Sequence, residues 1–208
     1  MIHRLILAAA LSLGTLNLAH AQAAAAAAPA VELAGVKYEN TETVANTPLV
    51  LNGAGIRYKA IFKVYTAGLY LTKKANTPEA IIATPGPKRV HIVMLRDINA
   101  SELGKLFTRG MEENAPRDEF SRSIPGTLAL SDLFFEKKKL VAGDAFSVDW
   151  IPGTGTIIMI NGKASTAPIK EPEFFTALLR IWLGKSPADS MLKDALMGID
   201  PKSPKRGN

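Results

Sequence analysis

Residues 49–71 read LVLNGAGIRYKAIFKVYTAGLYL and decide the fold. A short β-type run, Pro48–Leu51, ends at the sequence Asn52-Gly53-Ala54-Gly55. Asn-Gly pairs favour positive φ angles and are the strongest short hairpin signal that a sequence offers. Two longer apolar runs follow, Ile56–Phe62 and Val64–Leu71. The segment therefore predicts β-strands joined by a tight turn at residues 52–55.

Further strands are predicted after this segment, one near residue 90 and three beyond residue 145. Arg89–Leu95 (RVHIVML) has the continuous apolar character of a buried strand. Phe146–Ile151 and Thr156–Ile160 predict a hairpin around the turn sequence Pro152-Gly153-Thr154-Gly155. Another strand, Lys163–Ile169, follows a second Asn-Gly pair.

Two helices are marked by their N-terminal residues. Thr77 and Pro78 begin a short helix over Ala80–Ala83, as N-cap and first helical residue. Asn99 caps a helix that runs to about Asn114. Four of its residues fall on one face at helical spacing: Leu103, Leu106, Phe107 and Gly110.

Three more helices complete the pattern. Ile124–Lys138 predicts a helix with Pro125 in its first turn. Pro172 begins a helix that ends at Gly184, and Ser186-Pro187 begins the last one, which ends at Gly198. The order strands, helices, strands, helices predicts an α+β fold, with a mostly antiparallel β-sheet and helices packed on one face.

The composition excludes several kinds of chemistry. The 208 residues include no Cys, which rules out disulfides, thiolate metal sites and cysteine nucleophiles. The 25 Lys and Arg against 19 Asp and Glu give a net charge of +6, without the clustering that a nucleic-acid-binding module requires. His91 is the one histidine after residue 20 and is interpreted as a structural strand residue. We predict no metal, no cofactor and no nucleic-acid partner.

Residues 1–21 predict a signal peptide. A basic start and a short apolar run lead to Ala19-His20-Ala21, whose small residues suit cleavage after Ala21; cleavage after Ala23 fits the same rule. A membrane anchor is the alternative, but the apolar run is too short to span a bilayer. We expect a periplasmic or secreted protein without stable membrane insertion. Residues 22–30 then form an Ala-rich spacer, 31–198 one domain and 199–208 a basic, disordered tail.

The segment of residues 49–71, with an Arg shortly after a Gly-rich turn and then an apolar strand containing Tyr, Thr and Gly, resembles the chalcone isomerase family. The resemblance continues through Arg89–Asn114 and Ala142–Gly184, and covers most of Val31–Gly198. It ends in the sequence ALLRIWLG of residues 177–184, which is similar to the family's last cleft helix. The resemblance implies an open-faced sandwich in which two central strands lie beneath a hydrophobic ligand cleft.

Three residues are predicted to bind a ligand through this resemblance. Arg57 matches the family's guanidinium, which holds the oxyanion of the substrate, and Thr66 matches its strand Thr at a shorter spacing. Trp182 falls, with Ile181, on a Thr-Met pair of the family, so the hydroxyl of that pair is lost. An Arg57 that bonds turn carbonyls and a Trp182 within the core stay open as alternatives.

The catalytic residues of the plant enzymes are not matched. Their Tyr, Lys and Asn fall on Ala100, Leu103 and Phe107 in one register, and on Glu102, Lys105 and Arg109 in the other. No catalytic residue is therefore assigned. The leading interpretation is an exported protein that binds a small apolar molecule with an anionic or carbonyl group, such as a fatty acid. An intramolecular lyase of the chalcone–flavanone isomerase type is the alternative, and a structural or partner-binding protein with a self-filled cleft is the third.

Overall fold

The computed structural model describes residues 30–199. The predicted signal peptide lies outside them, as do the spacer apart from Ala30 and the tail apart from Ile199. The strands are β1 (Val31–Leu33), β2 (Val36–Tyr38), β3 (Thr41–Val44), β4 (Thr47–Lys59), β5 (Phe62–Leu71), β6 (Lys88–Met94), β7 (Ile98–Asn99), β8 (Lys139–Leu140), β9 (Ala145–Ile151), β10 (Gly155–Ile160) and β11 (Lys163–Ala164). The helices are α1 (Pro78–Ala83), α2 (Ala100–Asn114), α3 (Arg117–Lys137), α4 (Pro172–Leu183) and α5 (Ser190–Leu196).

Seven strands form one antiparallel sheet in the order β11-β10-β9-β6-β5-β4-β3. The helices pack on one face, and the main core lies between them and the sheet; its aromatic residues include Phe107, Phe134, Phe146 and Trp182. The predicted α+β architecture with a mostly antiparallel sheet is confirmed. Within residues 30–199, none of the helices combines the length and the apolar content that crossing a bilayer requires.

The opposite face of the sheet carries a smaller core. Tyr38 from β2 packs there with Leu49, Leu51 and Tyr70 of β4 and β5. Gly68 lies directly under the Tyr38 ring, since a Cβ on it would come within 2.5 Å of that ring. The sheet is therefore covered on both sides at β4 and β5, the two strands that carry the deciding segment.

The predicted turn at residues 52–55 is wrong, because β4 runs straight through it. The chain turns instead after Lys59, where Ala60 adopts φ +53°. Asn52 is the extra residue of a β-bulge, since Leu51 pairs with Tyr70 while Gly53 pairs with Leu69. The Asn-Gly pair thus belongs to a bulge, in which Asn52 is left out of the strand pairing.

Close approach of α5 to β4 explains the glycines of this stretch. A Cβ on Gly53 would lie 1.9 Å from the Ala195 carbonyl oxygen, and one on Gly55 would lie 2.7 Å from the Ala195 Cβ. Such distances are far inside van der Waals contact. Gly53 and Gly55 are therefore needed for the last helix to dock on the strand.

The helix predictions succeed where caps decide the boundary. Thr77 caps α1 and Asn99 caps α2, each accepting a hydrogen bond from a backbone N–H three residues on. The predicted helix at Pro172 is also confirmed as α4, and it ends before Gly184.

Three boundaries differ from the sequence predictions. Helix α3 begins at Arg117 and contains Pro125 in its interior; the next residue, Gly126, lets it approach α4, since a Cβ there would lie 2.5 Å from the Phe174 ring. Helix α5 begins at Ser190, after the cap Asp189, rather than at Ser186. Strand β11 ends at Ala164, and beyond it only Ile169 forms a single bridge to Thr156.

We expect Gly53→Ala and Gly55→Ala to destabilise the protein by about 1–3 kcal/mol or more, since each forces overpacking between β4 and α5. Ala195→Gly should partly rescue Gly55→Ala, whose Cβ meets the Ala195 side chain. It should not rescue Gly53→Ala, whose Cβ meets the backbone oxygen of the same residue. Denaturant unfolding of the two double-mutant cycles checks this, and equal coupling in both cycles would contradict the packing described.

Candidate functional site

A cleft of about 540 Å³ opens between α2, the hairpin end of β4 and β5, and the loop before α5. This volume lies within the range of small-molecule sites, roughly 300–1,000 Å³. Its apolar lining comes from Phe62, Val64, Ile98, Leu103, Leu106, Phe107, Ile181, Pro187 and Ala188. Its ionisable lining comes from Arg57, Lys59, Tyr65, Arg96, Asp97, Glu102, Arg109 and Glu113. The cleft is thus an apolar groove with polar groups at defined points.

Arg57 lines the cleft, and its contact with a ligand stays a prediction. It pairs across the sheet with Tyr65, and both side chains line the cavity. Its Nη1 lies 3.7 Å from Oδ2 of Asp189, and the two side chains are 23% and 7% exposed. The ion pair is longer than a hydrogen bond, so the guanidinium keeps donors for another acceptor. The alternative that Arg57 bonds turn carbonyls is not what this geometry shows.

Asp189 is fixed by the fold rather than by Arg57. As the N-cap of α5, its Oδ1 accepts hydrogen bonds from the N–H groups of Met191 (2.8 Å) and Leu192 (3.2 Å). Its Oδ2 accepts a bond of 2.9 Å from the N–H of Tyr58, the residue after Arg57 on β4. The carboxylate therefore ties α5 to β4 and places a negative charge beside the guanidinium.

Tyr65 brings a phenol to the same point of the cleft. Its hydroxyl oxygen accepts a hydrogen bond of 2.9 Å from Nε1 of Trp182. Burial raises the pKa of Tyr65 to about 12, against the opposing effects of Trp182 and of the Arg57 cation. The phenol stays protonated at neutral pH, and within residues 30–199 its proton has no acceptor at hydrogen-bond distance. It is available for an oxygen atom in the cleft.

Trp182 lies behind this phenol and not in the cleft lining. It is fully buried and meets Phe107 edge-on, with ring centroids 5.5 Å apart. The predicted ligand contact of Trp182 is therefore replaced by its alternative, a core position. Its indole N–H still orients the Tyr65 hydroxyl, so it acts on the site through Tyr65.

Thr66 lies on the other face of the sheet, because successive strand residues alternate and Tyr65 faces the cleft. Its Oγ1 accepts a hydrogen bond of 2.8 Å from the Tyr38 hydroxyl and lies 3.4 Å from the Val93 carbonyl. Thr66 is completely buried there. The prediction that it binds a ligand is corrected on this ground: its hydroxyl is directed into the smaller core.

Helix α2 supplies the apolar wall of the cleft. The four residues predicted to share one helix face all line the cavity: Leu103, Leu106, Phe107 and Gly110. Gly110 allows α4 to approach, since a Cβ there would lie 3.3 Å from two atoms of Ile181. In one register of the resemblance, Leu103 and Phe107 thus stand where the plant enzymes carry Lys and Asn. In the other register, Glu102 and Arg109, which also line the cleft, take the places of the Tyr and the Asn.

The arrangement is suited to one polar task. Arg57 and Tyr65 present a cation and a neutral donor at one end of an apolar groove, the arrangement that holds a carboxylate, carbonyl or enolate oxygen. Among residues 30–199, no three His, Asp or Glu side chains come close enough to hold a metal ion. Tyr65 and Asp189 were not predicted from the sequence. A turn placed at residues 60–61 would have brought the first close to Arg57 across the hairpin, and an Asp followed by Ser at a helix start could have identified the second.

The comparisons with known proteins agree with this fold. The family model described as chalcone isomerase-like matches residues 30–198. A fatty-acid binding protein of Arabidopsis thaliana with a solved structure is similar over 81% of this chain and 96% of its own, with a TM-score of 0.60 and 14% sequence identity. At that identity the likeness concerns the fold alone. Comparison with curated protein sequences found no match.

Asp189→Asn should strengthen the binding of an anionic ligand several-fold, because it removes the negative charge beside Arg57. Titration calorimetry with dodecanoate measures this, and dodecan-1-ol, of similar size but neutral, is the matched ligand whose affinity should change little. The substitution should also lower stability by about 1 kcal/mol, since the amide can cap α5 through its one oxygen but has no second oxygen to accept from the Tyr58 N–H. An unchanged dodecanoate affinity would show that Asp189 does not compete for Arg57.

Proposed function

The chain belongs to the chalcone isomerase-like family, and from this we propose that it binds a small apolar molecule whose anionic or carbonyl oxygen is held by Arg57 and Tyr65. The observation that carries the proposal is that these two donors, paired across β4 and β5, line the same cleft as the apolar wall of α2. A medium-chain fatty acid matches this pattern, with its carboxylate at the donors and its chain along α2. The structurally similar Arabidopsis protein is a fatty-acid binding protein, which supports the same class of ligand.

The two donors differ in what they contribute. A charged hydrogen bond from a guanidinium is worth about 1.5–3 kcal/mol, and a neutral one from a phenol about 0.5–1.5 kcal/mol. The partial burial of Arg57 strengthens its contribution, because water competes less at a site with apolar walls. Arg57 therefore contributes most of the polar affinity, and Tyr65 adds direction.

We further propose export of the chain with cleavage after Ala21, on the basis of its N-terminal sequence. After export, the protein would meet its apolar ligand in the cell envelope or outside the cell, either in water or beside a membrane.

Catalysis is the second candidate, and one observation favours it. The Arg57 and Tyr65 donors that suit a carboxylate would also stabilise the enolate that develops when a chalcone closes to a flavanone. Against it stands the wall of α2, which carries neither the Tyr nor the Asn of the plant enzymes in either register: its lining residues there are apolar (Leu103, Phe107) or charged (Glu102, Arg109). A site that stabilises charge but does not position the reacting ends loses several kcal/mol of barrier reduction.

We expect Arg57→Ala to weaken dodecanoate binding about tenfold or more and to leave dodecan-1-ol binding nearly unchanged. Arg57→Lys should restore only part of the loss, since an ammonium lacks the planar fork of donors. Tyr65→Phe should weaken dodecanoate binding about fivefold, in keeping with a neutral hydrogen bond. Calorimetric titration of the three variants checks this, with melting temperatures to confirm folding. Equal affinity of the wild type and Arg57→Ala for dodecanoate would reduce Arg57 to a structural residue.

We expect little or no chalcone cyclisation beyond the spontaneous rate at neutral pH. The loss of chalcone absorbance gives the rate, and chiral chromatography gives the enantiomeric composition of the flavanone. Spontaneous closure yields a racemate. A strong excess of one enantiomer that disappears in Arg57→Ala would overturn the binding proposal in favour of an intramolecular lyase.

A further inference from the structure

We propose that the tip of the β4–β5 hairpin docks the protein on a lipid surface that carries anionic phospholipids, with the mouth of the cleft facing that surface. The tip is the segment Lys59–Lys63, with the sequence KAIFK. Docking itself does not depend on the proposed function. Only its consequence, the transfer of an apolar ligand between lipid and cleft, rests on that function.

The tip exposes two large apolar side chains at its outermost point. Ile61, in the turn itself, is 85% exposed, and Phe62, the first residue of β5, is 55% exposed. Leu106, on α2 across the same cleft, is 55% exposed. Apolar side chains on a protruding tip enter the boundary between headgroups and acyl chains without disturbing the fold.

Three cations surround these apolar residues. Lys59 and Lys63 are the first and last residues of the tip. The Arg96 guanidinium lies 4.9 Å from the centre of the Phe62 ring. None of the three has a carboxylate within ion-pair distance in the described part of the chain, residues 30–199. They are exposed and without counter-charge, as a surface that meets phosphate groups requires.

The acidic residues nearby do not cancel this charge. Asp97 is paired with Lys139 at 2.7 Å, and Glu113 with Arg109 at 2.7 Å, so each of these pairs is neutral. Glu102 is the one lining carboxylate that has no ion pair within residues 30–199. The mouth of the cleft therefore carries a net positive charge, which complements an anionic membrane.

Other exposed residues, apolar or cationic, lie away from the cleft and serve as controls. Phe135 on α3 is 73% exposed but lies on a different element from the cleft lining. Lys73 and Lys74 are exposed just after the other end of β5 and do not line the cleft. Phe62 and Arg96, in contrast, belong both to the tip region and to the lining of the cleft. This continuity is why docking at the tip would bring the cleft mouth to the lipid.

The test is co-sedimentation of the protein, as isolated from its own cell, with vesicles of phosphatidylcholine alone or mixed with phosphatidylglycerol. Phe62→Ser should weaken partition onto the mixed vesicles about tenfold, while Phe135→Ser changes little. Lys59→Gln with Lys63→Gln should weaken it about fivefold for each cation, while Lys73→Gln with Lys74→Gln changes little. The effect of the lysines should fade as salt is raised.

Three results would overturn the proposal. The first is equal partition of tip variants and control variants. The second is partition onto pure phosphatidylcholine that matches the mixed vesicles. The third is self-association without vesicles that Phe62→Ser abolishes in sedimentation velocity, which would make the tip an interface between copies of the chain. Titration with dodecanoate separates this proposal from the proposed function, because a protein that binds vesicles through its tip but not dodecanoate fails only the latter.

Discussion

The hydrogen bonds of the buried Asn52 side chain fix the arrangement on which the rest of the structure depends. Its Oδ1 accepts from the Ala75 N–H at 2.8 Å, and its Nδ2 donates to the carbonyls of Ala75 (2.9 Å) and Leu196 (2.7 Å). These bonds stabilise the bulge at Asn52. The bulge adds one residue to β4, so the side chains after it face the opposite side of the sheet from the one that regular alternation would give. Leu49 and Leu51 face the smaller core before it, and Gly55 and Arg57 face the helices after it. Without the extra residue, Arg57 would be directed to the wrong side of the sheet.

The site is connected to the fold through the same strand. Asp189 caps α5, accepts from the backbone of β4 and lies beside Arg57, so the docking of the last helix also sets the charge balance of the cleft. A buried guanidinium with no counter-charge would cost several kcal/mol to desolvate, and the carboxylate lowers this cost. Because the carboxylate is held by three backbone N–H groups, it does not follow the guanidinium toward a ligand. This geometry gives Arg57 a counter-charge within the protein and leaves its N–H groups able to donate to another acceptor.

The sequence predicted most of the fold and part of the site, and the division has a physical basis. Local signals such as the Thr77 and Asn99 caps depend on a few neighbouring residues, so the boundaries they mark are confirmed. The turn predicted at Asn52-Gly53 is wrong because the conformation of this pair is decided by Ala75 and Leu196, which are distant in sequence. Arg57 lines the cleft, and its contact with a ligand stays a prediction. Thr66 faces the other side of the sheet, because it directly follows Tyr65 on the strand. Trp182 could not be placed without knowing that Tyr65 stands between it and the cleft.

The two walls of the cleft differ in how they are held. On one side, the loop before α5 is fixed by Asn114, whose amide bonds both the N–H and the carbonyl of Ser186, and by Lys193, which donates to the Gly184 carbonyl. On the other side, the hairpin tip beyond Arg57 exposes its side chains and is held by the ladder of β4 and β5 and by the contact of Arg96 with the Phe62 ring. The wall beside the loop before α5 is therefore held by more hydrogen bonds between distant parts of the chain than the wall beside the tip.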